Sequence, residues 1–213
     1  MALAVGVAVV ANCLGDDDYE MAAQFQGELD ELSAELANQG VNWVEPRGTL
    51  VPPRRANYGI FPYSSLHCLR RVLALIADDK PVTPLHGAEL SPADEAQVEK
   101  MTQEAESHLL CHSDYEGYYV PVDLDMPVLL PEASSTIGGG MVGSSQGLLA
   151  ELRRCAPALG IRLEDDGSLA DAEAGRVFEL PEYGQFFNES VAWLTLHEAC
   201  VASIAGGHAI VFA

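Results

Sequence analysis

The sequence is poor in basic residues. It has 11 Lys and Arg against 32 Asp and Glu in 213 residues, a formal net charge of -21. Lysine occurs only at positions 80 and 100, and no basic residue precedes Arg47. Because phosphate binding requires clustered Lys and Arg, the composition argues against nucleic acid and against anionic membrane surfaces as partners. A field of this sign attracts basic proteins and cations instead.

The sequence also lacks a disulfide framework and a typical leader. Its five cysteines are odd in number and widely spaced, with no CxxC pair: Cys13, Cys68, Cys111, Cys155 and Cys200. This pattern predicts reduced thiols and a cytoplasmic location. The apolar run at 1–10 is too short to span a bilayer and has no basic residues before it, so we interpret it as a buried first strand.

One helix carries most of the early negative charge. Apolar residues recur at intervals of four, four, three and four, and three aspartates before them suit a helix start that Gly40 would close. The apolar positions are Met21, Phe25, Leu29, Leu32 and Leu36. The opposite face carries Glu28, Asp30, Glu31 and Glu35, and residues 1–46 hold nine acids and no base. We expect this to be the most negative surface of the protein.

The rest of the chain predicts an α/β or α+β fold with one globular domain over 1–213. Further helices are expected from Ser64 or Ser65, from Ser91, near Leu148 and at Asn188. Strands are expected at 117–123, 161–163 and 209–212, with an irregular connection at 41–62. The result is a small mixed sheet of three to four strands covered by about five helices, in which the first and last strands are neighbours.

A histidine pair is the first candidate site. His108 and His112 share one face in a helix or in a strand, a spacing that suits a divalent metal with Asp114 as third ligand. The Glu of an HExxH pattern is missing, so water activation has no obvious base. A polar functional cleft and purely structural hydrogen bonding are the alternatives.

The glycine-rich stretch 138–147 supplies two further motifs. Gly143–Gly147 fits GxSxG, with Ser145 as nucleophile, His197 or His208 as base and an orienting acid at Asp165, Asp166 or Asp171. The alternative is that Ser144 or Ser145 caps the following helix. Residues 138–143 also fit GxGxxG, which could bind a dinucleotide or a bare anion. We predict no cofactor beyond the divalent metal.

A resemblance rests on the longer text around these motifs. The segments FPYSSLHCLRRV, HLLCHSDYEGYYVPVDLD and GGGMVGSSQGLLAEL, with HSD-x-x-GYYVPVD as the most specific part, resemble a group of uncharacterised bacterial proteins of similar length. The resemblance covers most of the chain and implies a stand-alone bacterial domain. It implies a polar centre near His112, Asp114 and Tyr118, and it transfers no activity.

Two functions from different classes follow. The first is a non-enzymatic protein-binding module, of an immunity or inhibitor-like kind, whose acidic first 46 residues meet a basic protein. The alternative is a small hydrolase that uses Ser145, with His112, Asp114 or His197 in the site, or a metal at His108, His112 and Asp114. Whether the chain is an enzyme and how it oligomerises stay open at this stage.

Overall fold

The computed structural model describes residues 2–47, 59–85, 87, 89–103, 106–131 and 137–213. The α-helices in these ranges are α1 (Val9–Gly15), α2 (Tyr19–Asn38), α3 (Tyr63–Ala77), α4 (Pro92–Thr102), α5 (His108–Cys111), α6 (Ser145–Cys155), α7 (Asp171–Phe178) and α8 (Phe187–Gly206). A 3₁₀-helix, Ala156–Leu159, follows α6. The strands are β1 (Ala2–Val7), β2 (Ile60–Pro62), β3 (Gly117–Val120), β4 (Val128–Leu129), β5 (Met141–Ser144) and β6 (Ile210–Phe212).

The six strands form one mixed sheet in the order β2-β1-β6-β3-β5-β4. Only β3 and β5 run parallel, and the other neighbouring strands are antiparallel. The first and last strands of the chain pair near the middle, where Val5 lies opposite Phe212. The prediction that these two strands are neighbours is therefore confirmed.

One face of the sheet is covered by α2. Alternate strand residues point to this side, and they pack with the apolar stripe of α2 in one buried cluster. From the helix the cluster takes Leu29, Leu32 and Leu36, and from the sheet Tyr118, Val120, Val142 and Val211. Asp18 caps the helix by accepting a hydrogen bond from the amide of Met21, as the acidic start predicted. Packing therefore fixes which side of α2 faces solvent.

The larger core lies on the other face of the sheet. It joins strand residues such as Val5 and Tyr119 to α3, α6, α7 and α8. Trp193 of α8 is fully buried there, and its indole nitrogen donates to the carbonyl of Leu152, 2.7 Å away. The sheet is thus a middle layer between helices on both sides.

The mixed α/β class is confirmed, but the predicted numbers of elements are wrong. The described residues contain six strands rather than three or four, and eight α-helices rather than about five. The missed strands are short: β2 has three residues, β4 has two, and β5 lies in the glycine-rich stretch. Their pairing comes from long-range contacts, which local patterns do not report.

Some local predictions also change. The apolar start of the chain divides at Ala8, whose backbone is left-handed, into β1 and the unpredicted helix α1. Residues 161–163 form no strand. Part of the predicted connection, 48–58, lies outside the described residues, and the single domain over 1–213 stays a prediction.

No helix in the described ranges has the length and apolar character needed to cross a membrane.

A buried contact between Glu45 and His208 ties the chain after α2 to the sheet. Glu45 lies 2.6 Å from Nδ1 of His208 through one carboxylate oxygen, and its other oxygen accepts from the amide of Ala209 at 2.9 Å. Burial raises the pKa of Glu45, against the opposing effect of these two partners. Beside this pair, Trp43 donates to the carbonyl of Gly207. These contacts hold the chain that follows α2 against the turn before β6.

We expect Glu45→Ala to lower the free energy of unfolding by about 1–3 kcal/mol, because it removes the buried carboxylate that contacts Nδ1 of His208 and accepts from the amide of Ala209. Urea unfolding followed by tryptophan fluorescence measures the change. Glu20→Ala, at an exposed position of α2, is the control and should change stability by less than about 0.5 kcal/mol. Equal stabilities of the two variants would show that the pair does not hold this layer.

Candidate protein-binding surface

The solvent face of α2 and the turn before it form an acidic ridge. We define the ridge by its eight carboxylates, all exposed or half-buried: Asp16, Asp17, Asp18, Glu20, Glu28, Asp30, Glu31 and Glu35. Residues three and four apart are neighbours on a helix surface, so Glu28, Glu31 and Glu35 form one row. The segment 28–35 carries four carboxylates over about 12 Å of helix, or roughly one per 3 Å.

The hydrogen-bond partners of the ridge are mainly uncharged. Gln24 donates to Glu28, Gln26 donates to Asp30, and Glu35 accepts from Asn38 and Gln39. Amide donors orient a carboxylate but leave its negative charge in place, unlike Lys or Arg. The ridge therefore keeps its charge while several of its side chains are held in position.

Tyr118 connects the ridge to the sheet. Its hydroxyl, on β3 under α2, donates to Oε2 of Glu28 at 3.0 Å. Burial, followed by the negative charge of Glu28, Glu116 and Glu31, raises the pKa of Tyr118. These carboxylates therefore lie close enough to act on one hydroxyl group. This contact was not predicted from the sequence, although alternation along GYYV already placed Tyr118 and Val120 on one face of the strand.

The basic residues lie away from the ridge. In the described ranges, those that belong to the layer of α3, α4, α6 and α7 or its loops are Arg70, Arg71, Lys80, Lys100, Arg153, Arg154, Arg162 and Arg176. Most pair with local acids, such as Arg71 with Asp94 and both Arg162 and Arg176 with Glu173. Arg47 is the one described base at the ridge, 3.7 Å from Asp30 and largely exposed. The described basic side chains are thus concentrated away from the ridge, in a part of the chain that is also rich in acids.

The proposed metal ligands have other partners. Nδ1 of His108 accepts from the amide of Ser144 at 3.0 Å, so Nε2 carries the proton and donates to the carbonyl of Leu124 at 3.1 Å. Asp114 lies between His67, at 2.9 Å, and Arg70. Within the ranges that the structure covers, no three His, Cys, Asp or Glu residues are grouped to hold a metal ion.

His112 is buried in an aromatic stack. Its ring lies parallel to that of Tyr119 at 4.1 Å and edge-on to Phe212 at 4.9 Å. Each ring nitrogen faces a backbone carbonyl, that of Ser113 or Tyr118. Burial, aided by the charge of Arg70, lowers the pKa of His112 to about 4, against the opposing effect of these two carbonyls. The ring is therefore neutral at pH 7 and is placed for packing. A neutral ring donates to only one of the two carbonyls.

The candidate nucleophile Ser145 is fully buried as the first residue of α6. Its hydroxyl lies 2.7 Å from that of Ser203, which in turn donates to the carbonyl of His208. His197 stacks on Trp193, and its Nδ1 lies 3.2 Å from Glu198. The structure therefore places Ser145 in a hydroxyl chain, and the helix cap is Ser144, which accepts from the amide of Gly147 at 3.0 Å.

Close packing accounts for the glycines of the GxSxG text. A β-carbon at Gly143 would collide with the ring of Tyr119, and one at Gly147 would collide with the imidazole of His108. A β-carbon at Gly117 would lie only 2.9 Å from the ring of His112. The histidines and the glycines that the sequence suggested as two separate sites thus form one packed unit.

A family model described as "Putative DNA-mimic protein" matches residues 1–212. The chain belongs to this family. No curated protein and no solved structure matches the chain. Membership of the DNA-mimic family agrees with the resemblance to a poorly characterised group, and a mimic role agrees with the protein-binding interpretation of the sequence.

The family description corrects the prediction about partners. The charge of the sequence predicted a basic protein of any kind as the partner and argued against nucleic acid. For a DNA-mimic family the partner class is a DNA-binding protein, and DNA is the molecule whose place the mimic takes. The argument that this acidic chain does not itself bind nucleic acid is consistent with that description.

The buried state of His112 predicts a pH effect on stability. Its folded pKa of about 4 is below the ordinary value of about 6.5, so the unfolded chain binds the proton more readily. The contribution of neutral His112 to the free energy of unfolding is therefore fully present above pH 6.5, and it is lost as the pH falls toward 4. His112→Phe keeps an aromatic ring in the stack and removes this titration.

Urea unfolding of the wild type and of His112→Phe between pH 8 and pH 4 tests this. The stability difference should be constant above pH 7 and should then shift against the wild type by up to about 1.4 kcal/mol per pH unit. The many carboxylates titrate in both proteins, so their effect on the free energy of unfolding cancels in the difference. Parallel curves down to pH 4 would contradict a neutral, buried His112.

Proposed function

We propose that this protein binds a DNA-binding protein by presenting its acidic ridge in the place of a DNA strand, and so inhibits DNA binding by that partner. The observation that carries the proposal is the ridge of carboxylates on α2, which has one described basic side chain, Arg47, beside it. Family membership supports it, because the family is described by DNA mimicry.

The charge spacing of the ridge supports this role. One strand of duplex DNA carries a negative charge about every 3.4 Å along the helix axis. The roughly 3 Å per carboxylate along residues 28–35 is close to that value. The 20 residues of α2 extend about 30 Å, which corresponds to roughly nine base pairs at the same rise. A groove that follows one strand can therefore meet a comparable density of charge along residues 28–35, a length of about four phosphates, whereas α2 as a whole has five carboxylates.

The rigidity of the ridge supports selective binding. The helix is fixed on the sheet by Leu29, Leu32 and Leu36, and Glu28 is held by Tyr118. A preorganised surface loses less conformational entropy on binding than a flexible acidic tail does. Because the basic side chains of the described ranges lie mostly in the other layer, they do not oppose a basic groove approaching α2.

A location inside the cell is part of this proposal. DNA-binding proteins work where DNA is, and the odd number and wide spacing of the five cysteines, with no CxxC pair, fit a reducing compartment. The hydrolase alternative stays an untested prediction. The described contacts of Ser145, His108 and His112 do not favour it, because each side chain is engaged in packing or in structural hydrogen bonds.

Displacement of a labelled duplex tests the proposal. Purified double-stranded-DNA-binding proteins of three kinds, a helix-turn-helix repressor, an HU-type protein and a nuclease, are bound to a fluorescent duplex, and anisotropy follows its release. We expect the wild type to release the duplex from at least one of them. The variant Glu28→Gln/Asp30→Asn/Glu31→Gln/Glu35→Gln should be about 10- to 100-fold weaker, since each exposed pair contributes ~0.2–1 kcal/mol.

A charge-matched control separates the ridge from net charge. The variant Glu164→Gln/Asp165→Asn/Asp171→Asn/Glu179→Gln also removes four exposed carboxylates, but on or near α7. It should displace the duplex as the wild type does. Equal weakening of the two variants would show that only total charge matters, and absence of displacement from all three proteins would count against mimicry.

A further inference from the structure

The glycine-rich stretch before β5 makes room for a carboxylate. Glu116, the residue before β3, is half-buried, and a β-carbon at Gly138 would lie only 2.8 Å from its Oε2. A β-carbon at Gly139 would lie 2.8 Å from the carbonyl oxygen of Glu116. A side chain at Gly138 would therefore push the carboxylate away, and one at Gly139 would collide with the backbone. The glycines that suggested an anion site thus lie against a negative charge of the chain itself.

Glu116 lies on the α2 side of the sheet. Ile137, the residue next to Gly138, is buried in the apolar cluster between α2 and the sheet. Tyr118, two residues after Glu116, belongs to the same cluster, and its hydroxyl donates to Oε2 of Glu28 at 3.0 Å. The segment that contacts Glu116 and the strand that follows it are therefore both packed in the layer of the acidic ridge.

Carboxylates from two elements act on the hydroxyl of Tyr118. Burial has the largest effect in raising its pKa, and the charges of Glu28, Glu116 and Glu31 raise it further, in that order. The interaction between two charges weakens with distance. Glu116 therefore lies near the same hydroxyl as Glu28 and Glu31, although it belongs to the segment before β3 and not to α2.

The charge of Glu116 is not neutralised within the described ranges. None of the basic side chains described there forms an ion pair with it. Like charges repel each other, so packing that holds this carboxylate beside Glu28 and Glu31 strengthens the local negative field. Such a field is complementary to a surface that carries basic side chains.

We infer that the partner-binding surface continues from the acidic ridge onto Glu116, and that Tyr118 is the positioning residue that holds Glu28 beside it. This inference rests on the proposed function, because it concerns the surface that meets the DNA-binding partner. The partner that fits has basic side chains that reach beyond the row along α2 to the start of β3.

Nuclear magnetic resonance titration of the full-length protein with an acetylated and amidated hexa-arginine peptide tests the inference. The titration is done at low ionic strength, where charge pairs are least screened. We expect the amide resonances of Glu31, Glu116 and Gly138 to shift with one common midpoint, because one surface then meets the peptide. The midpoint gives the dissociation constant for each variant.

Two single substitutions separate Glu116 from net charge. Glu116→Gln keeps the size of the side chain and should raise the dissociation constant about two- to fivefold, since one charge pair is lost. Glu164→Gln also removes one carboxylate, at an exposed position before α7. This control should bind the peptide as the wild type does.

A double-mutant cycle tests the role of Tyr118. Tyr118→Phe keeps the ring and every charge but removes the donor to Glu28, so it should weaken binding about two- to threefold through lost preorganisation. In the background of Glu28→Ala the hydroxyl has no carboxylate to position there, and Tyr118→Phe should then have no effect. A purely structural loss would be equal in both backgrounds.

Shifts confined to the amides of α2 would overturn the inference. The same holds if Glu116→Gln binds as tightly as Glu164→Gln, and equal losses in both arms of the cycle would overturn the positioning role of Tyr118. The titration uses no DNA-binding protein, so its result is separate from duplex displacement. Failure of displacement with a positive titration would count against mimicry alone, and displacement with a negative titration would count against Glu116 alone.

Discussion

The fold depends on the packing of α2 against the sheet. Leu29, Leu32 and Leu36 cover strand residues that would otherwise be exposed, such as Val120 and Val142. Because the apolar stripe packs on the sheet, the carboxylates on the other sides of the helix are exposed or half-buried. The same packing brings Tyr118 under Glu28. The hydrophobic effect, which carries no information about partners, thus determines where the charge is displayed.

The described structure gives the motif-rich middle of the chain a structural role. Buried Glu151 accepts hydrogen bonds from the amides of His108 and Leu109, and this fixes the start of α5. His108 then packs over Gly147, and Tyr119 packs over Gly143. Histidines and glycines in such a pattern are also what an active site uses, so the residue types alone could not separate packing from catalysis. The burial of these side chains and their hydrogen-bond partners distinguish packing from catalysis.

Local signals allowed the sequence to predict some elements well. The period of Leu29, Leu32 and Leu36 and the cap at Asp18 located α2, and Ser91 with Pro92 located α4 through a complete capping box. The strands β2, β4 and β5 were missed because they are short and acquire their partners from distant segments. Of the surface, the sequence predicted the negative charge of α2, but the contact between Tyr118 and Glu28 required the register of β3 against the helix.

The pairing of β1 with β6 has a consequence for how the protein is made. Val5 can meet Phe212 only after the intervening chain has been synthesised, so the centre of the sheet forms late. Until then α2 lacks the complete surface on which its leucines pack. A growing chain would therefore carry the acidic helix without a fixed orientation, and the ordered display of its carboxylates would be a property of the finished molecule alone.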